Sequence, residues 1–263
     1  MLYHYTSLGA FISILQEDGL HLRMSRYSDM EDKLEVAYAM RLMKEHGIVG
    51  AQDKEICETV YPYVLSFCNT NENYPMWRLY ADAGKGIVFG VDEKFEIKNL
   101  KDTDSRPTPP FLMKVLYAFD KAKAMDKLAE VKNHFKQADL AYPELLASFV
   151  KHPSYSFEEE TRMILLNHGN FAMSCDAESQ AVRESDDFEN CNDMEIRYNG
   201  SSLVRYMEVV IPKEYLNSVT LGFNAQADEA EKMRTLLKQK GYNNVQVGFC
   251  RLYEDRNLYG ESI

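Results

Sequence analysis

Apolar residues recur along this chain in short runs of two kinds. Alternating or continuous apolar runs bounded by turn residues predict strands over residues 2–5, 20–24, 63–68, 86–91, 114–117, 161–166, 203–211, 219–223 and 245–249. Apolar positions three and four apart predict helices over 8–18, 32–46, 75–81, 120–150 (in one piece or two) and 225–240. The elements do not alternate as βαβ units, so the predicted class is α+β, with a mixed, mainly antiparallel sheet flanked by helices. No internal repeat interrupts the order, and the chain reads as a single domain over residues 1–263.

The first twenty residues combine a strand with a helix start. Ser7 or Thr6 is placed to cap the helix. Leu8, Phe11, Ile12 and Leu15 fall on one helical face, and Gly19 offers a left-handed exit. His4 therefore stands just before a helix N-terminus, a place that favours a pyrophosphate or a carboxylate. The alternative is a partly buried histidine on an edge strand.

Composition narrows the partners. A net charge of −11 and a pI near 5.1 argue against a broad nucleic-acid or anionic-membrane footprint. Cys57, Cys68, Cys175, Cys191 and Cys250 show no metal-ligand spacing, so no metal is expected, and scattered thiols fit a reducing, cytoplasmic setting. No apolar run is long enough to span a bilayer. Residues 101–110, with Pro107, Pro109 and Pro110, read as a loop. Residues 175–195 carry eight acidic residues against Arg183 and read as a mobile acidic insertion.

Three further clusters are candidates for chemistry. The strand end Leu65-Ser66-Phe67-Cys68 precedes Pro75-Met76-Trp77-Arg78-Leu79-Tyr80, where Trp77 and Tyr80 share a helical face. They are either a hydrophobic plug or a platform for a flat ring. The run Ala83-Gly84-Lys85-Gly86 allows close backbone approach but lacks a phosphate-loop pattern. In the run 153–162, read as extended, Glu158, Glu160 and Arg162 line one face. An arginine there would hold a carboxylate ionised and oriented. The alternative is an exposed acidic strand end with a surface ion pair.

Taken in order, the HYTS start, the YVLSF strand, PMWRLY, GKGIVFG, FEEETR and the late IPKEYLNSVTLG segment resemble a bacterial family of domains of unknown function. That family is remotely similar to the ADP-ribosyltransferase fold, and the resemblance runs from Leu2 to about Arg251. It implies NAD as substrate, without a metal, for mono-ADP-ribosyl transfer or NAD glycohydrolysis in a bacterial defence or toxin system. By the same resemblance His4, with Thr6 beside it, holds the adenosine ribose, and Ser66, Trp77 and Tyr80 complete the NAD site. Glu160, with Glu158 second, supports an oxocarbenium-like transition state, and Arg162 orients the glutamate or binds a phosphate. Leu65-Ser66-Phe67 departs from the family's Ser-Thr-Ser pattern. The acceptor is a protein, a nucleic acid or water, and no membrane partner is implied.

Two other functions stay open. One is a module of the same fold that binds a nucleotide or a nucleic-acid end without turnover. The other is a metal-independent nuclease or phosphotransferase, which needs Arg23, Arg26, Arg78, Lys85 and Arg162 to converge. The first enzymatic reading expects His4 and Glu160 in one pocket, and expects Glu160→Gln to leave folding intact because it is isosteric.

Overall fold

The computed structural model describes residues 1–30, 33–47, 60–99, 110–135, 143–168, 195–198 and 202–259. Among these, eleven strands form one sheet: β1 (Leu2–Thr6), β2 (Gly19–Arg26), β3 (Val60–Cys68), β4 (Ile87–Val91), β5 (Lys98–Asn99), β6 (Phe111–Lys114), β7 (Glu160–His168), β8 (Glu195–Tyr198), β9 (Leu203–Pro212), β10 (Leu216–Leu221) and β11 (Gln246–Phe249). The main path runs β11-β10-β4-β1-β3-β2-β9-β5, with β7 on β3, β6 on β7 and β8 on β9. Every pairing is antiparallel except β10 with β11. The fold is thus α+β with a mostly antiparallel sheet, as the order of elements implies.

The sheet forks at β3. One edge of this strand pairs with β7 along its whole length, from Val60↔His168 to Cys68↔Glu160. The other edge is divided, Cys68 meeting Tyr3 of β1 and Val64 meeting Ser25 of β2. Alternation then sorts its side chains. Tyr63, Leu65 and Phe67 enter the main core beneath α1 (Leu8–Ile14) and α6 (Glu229–Gln239). On the opposite face Val64 joins a second core with α2 (Lys33–Glu45), α4 (Lys121–Phe135) and α5 (Pro143–Ala147). Cys68 joins a third with α3 (Tyr74–Tyr80) and the start of α7 (Arg251–Tyr259). Ser66 falls between these two cores, at a polar seam.

Several elements differ from expectation. Helix α1 stops at Ile14, one turn short of the expected end, and Gly19 opens β2. Ser7 caps α1, accepting from the Ala10 N–H at 3.2 Å, but Ile12 lies 47% exposed while Ile14 packs inward. The strand expected over 114–117 lies earlier, at β6, because Met113 and Lys114 pair with Arg162 and Thr161. Residues Pro153–Glu158 form a 3-10 helix rather than an extended run. Strands β5 and β8 and helix α7 have no counterpart in the expected set. The glycine run does allow close approach, since Gly84 adopts φ +83° and a Cβ there would lie 2.5 Å from the Phe223 ring. The expected loop over 101–109 and the acidic run over 175–194 fall outside the described residues, and Glu195 begins β8. Among the described residues no helix is long and apolar enough to cross a membrane, and no group of His, Cys, Asp and Glu is arranged to hold a metal ion.

Candidate functional site

Strand β7 opens on Glu160, and the two-residue period of a strand puts Arg162 on the same face. Arg162 lies directly across from Ser66 in the register with β3. Glu158 reaches this face by a different route. The 3-10 helix is capped by the His152 imidazole, which accepts from the Ser154 N–H at 3.1 Å, and it ends at Glu159 with φ +45°. That left-handed residue turns the chain into β7 and delivers Glu158 beside Glu160. Asn69 donates to the Glu159 carbonyl at 2.8 Å, Asn73 donates to the Phe157 carbonyl, and the Glu160 N–H donates to the Tyr117 hydroxyl at 2.7 Å.

The result is a buried ionic cluster. Glu160 accepts from Arg162 Nε at 2.6 Å, Arg162 Nη2 at 3.1 Å, Lys151 Nζ at 3.2 Å and the Ser66 hydroxyl. Arg162 also donates from Nη2 to Glu35 of α2 at 2.6 Å and from Nη1 to the Ser148 carbonyl, and its guanidinium lies 5.7 Å from the Tyr27 ring centre. Lys151 bonds Glu158 and stands 3.2 Å from Glu35. Glu158 accepts from the Tyr80 hydroxyl at 2.8 Å. Three carboxylates thus face two cations, which leaves an excess negative charge when all are ionised.

The two neighbouring glutamates titrate in opposite directions. Burial works to raise the Glu160 pKa, but the charges of Arg162 and Lys151 and the bonds from Arg162 and Ser66 outweigh it and hold it at about 2. For Glu158 burial prevails over Lys151 and Tyr80, and its pKa lies above the ordinary carboxylate range. Burial opposes the charge on Lys151, yet Glu160 and Glu35 win and push its pKa up. Tyr80 and Tyr117 are both raised, first by burial and then by the nearby glutamates.

Of the residues singled out in the sequence, Ser66, Tyr80, Glu158, Glu160 and Arg162 come together here. His4 does not join them. Its Nδ1 bonds the Ser66 backbone carbonyl at 2.8 Å, but its ring packs against Phe67 and Phe89 in the main core, on the other face of the sheet. His4 and Glu160 therefore share no pocket, because the strand period sends the Ser66 side chain to the face opposite Phe67 and the His4 ring. Thr6 lies on the His4 face of β1, opposite Ile87. Trp77 is fully buried, with its ring edge-to-face on Tyr5 and its N–H donated to the Asn71 carbonyl at 2.9 Å. It shares no surface with Tyr80, which is 46% exposed. Among the five basic residues considered for a phosphotransferase, Arg162 enters the cluster, Arg23 pairs with Glu208 at 3.0 Å, Arg26 lies beside Asp29, and Arg78 and Lys85 are exposed.

Sequence reasoning missed Lys151, Glu35, Ser148 and Tyr117. Lys151 carried no local signal, since nothing in Ser148-Phe149-Val150 before it or His152-Pro153 after it marks an ionic site. Glu35 carried none that separates it from the other charges of α2.

Residues 76–163 match the model of a family described as protein of unknown function (DUF2971). No curated protein and no solved structure matches the chain. The matched stretch holds Tyr80, Lys151, Glu158, Glu160 and Arg162, whereas Glu35 and Ser66 reach the cluster from outside it.

Proposed function

We propose that this chain breaks the N-glycosidic bond of a nucleotide, in the manner of an ADP-ribosyltransferase or NAD glycohydrolase acting on NAD. The observation that carries this reading is the pair Glu158 and Glu160, joined by Lys151 and pushed to opposite titration behaviour. Such divergence is how one site obtains a proton-exchanging carboxyl and a permanently ionised one. Glu160 is the ionised group. As the bond between ribose C1′ and the nicotinamide nitrogen breaks, the electron pair leaves with nicotinamide, and the Glu160 carboxylate faces the positive charge that develops on the ribose. Water or an acceptor hydroxyl then bonds to C1′ and yields its proton to Glu158. Tyr80 covers Glu158, with its hydroxyl bound inside and its ring exposed to a flat leaving group. Substrate engagement requires that hydroxyl to let go.

A binding module without turnover is the second reading, favoured by the four donors that already occupy both Glu160 oxygens. Incubation with NAD separates the two. Nicotinamide release by the native chain that Glu158→Gln and Glu160→Gln, each verified as folded, reduce by about a hundredfold supports the enzyme. A rise in melting temperature with NAD and no release supports the module. Release unchanged in both variants rejects the enzymatic reading.

A further inference from the structure

A second concave feature adjoins the cluster. Between α2 and the 3-10 helix at Pro153–Glu158 lies a cleft of about 510 Å³, with Glu35 at its floor and Leu34, Tyr38, Arg41, His152 and Tyr155 on its walls. We propose that this cleft is a binding subsite for a mononucleotide, its base against Tyr38 and Tyr155 and its phosphate facing Arg41. The subsite rests on the nucleotide reading of the neighbouring cluster and names where part of that substrate is held.

The volume lies within the ordinary range of small-molecule sites. Three of its lining residues, Tyr38, His152 and Tyr155, carry flat rings. Tyr38 meets His152 edge-to-face at 4.9 Å between centres, and the Tyr155 ring lies 5.0 Å from Lys151 Nζ. Aromatic faces with an apolar neighbour, here Leu34 at 77% exposure, suit a base whatever its edge pattern. The Arg41 guanidinium lies 5.7 Å from the centre of the Tyr38 ring, and its acidic neighbour Glu45 is 3.8 Å away on the exposed surface. So loose a pair leaves the guanidinium able to turn to a phosphate, which takes up two of its N–H groups at once. The negative charge of Glu35 at the floor is offset in part by Arg162 at 2.6 Å and Lys151 at 3.2 Å, which it shares with the other two glutamates, so Arg41 carries the attraction for that phosphate. The same two cations set the state of Glu160, so an occupant of the cleft sits one residue away from the reacting carboxylates.

The test is calorimetric titration of AMP into the native chain and into Tyr38→Ala and Arg41→Gln, with adenosine and inorganic phosphate as separate probes. Tyr38 is half-buried and Arg41 exposed, so both variants are expected to fold, which a melting curve checks. The expected result is AMP binding that each variant weakens about tenfold, Tyr38→Ala also weakening adenosine and Arg41→Gln sparing it. No AMP binding, or binding indifferent to both variants, overturns the subsite. Nicotinamide release alongside that indifference overturns the subsite and leaves the glycosidic reading standing. AMP binding that depends on both residues in a chain that releases no nicotinamide supports the subsite and rejects the enzyme.

Discussion

The Nδ1 of His4 lies 2.8 Å from the backbone carbonyl of Ser66, while the Ser66 hydroxyl donates to Glu160 on the opposite face of the sheet. One residue of β3 thus links two environments that never meet. The imidazole stands with Phe67 and Phe89, and the hydroxyl with Arg162 and Lys151.

His4 is therefore expected to act on stability and not on the ionic cluster. His4→Ala should cost about 2 kcal/mol, from lost ring packing and an unpaired Ser66 carbonyl, and should leave the Glu160 titration unchanged. Burial also pushes the His4 pKa below the ordinary 6.5 despite the Ser66 bond. A base whose folded pKa is depressed contributes stability in full above its unfolded pKa and loses it as pH falls below that value. Urea unfolding between pH 7 and pH 5 should show the native chain losing stability that His4→Gln does not lose. Parallel curves would show that the ring is solvated in the fold.

Glu160→Gln is isosteric, yet it is not expected to be silent. The carboxylate compensates both Arg162 and Lys151 in a buried site, and removing one partner of such a group costs about 3–5 kcal/mol. The pH dependence follows from its pKa of about 2 against an ordinary 4.5. A carboxyl depressed in the fold contributes stability in full above the unfolded value and loses it as pH falls toward the folded one. The native chain should lose roughly 3 kcal/mol from this source between pH 4.5 and pH 2. Glu160→Gln should lack that part of the acid limb. An unaltered limb in the variant would place the titrating carboxyl elsewhere.

How much of this was legible in advance depends on distance along the chain. The strands around Leu65, Ile87 and Val209 announce themselves by local apolar runs, and Ser7 announces a cap. Glu158, Glu160 and Arg162 were visible because they lie within five residues of one another. Their geometry was not, since a single left-handed residue, Glu159, separates a 3-10 helix from β7 and no local pattern marks it. Lys151 and Glu35 were invisible for another reason. Their charges become unusual when α2, α5 and β7 fold over them, and burial of that kind has no local signature. His4 was misplaced because a strand's register, which fixes the face of each side chain, depends on its partner strand.

Tyr80→Phe isolates one bond of the site. The Tyr80 hydroxyl stabilises the ionised form of Glu158, so its loss should raise the Glu158 pKa further above its already elevated position. The stability change should stay within about 1 kcal/mol, because the ring keeps its place and half of it is already in solvent. Carboxyl carbon chemical shifts followed through a pH titration report the first effect, and thermal melting reports the second. A Glu158 titration that does not move would mean that Lys151 alone sets its state.

Trp77 supplies a probe for the whole molecule, being the one tryptophan of the chain. With its ring fully buried against Tyr5 and its N–H bonded to Asn71, its emission should be blue-shifted and nearly inaccessible to acrylamide until the chain unfolds. The NAD-site expectation drawn from the sequence made Trp77 a candidate for stacking on nicotinamide, and that role requires an exposed face. If NAD binds, the change in Trp77 emission should therefore be small, and Trp77→Phe should lower stability by about 1–3 kcal/mol while sparing affinity. Strong quenching of Trp77 by NAD, lost on unfolding, would show instead that α3 moves to open the third core to the ligand.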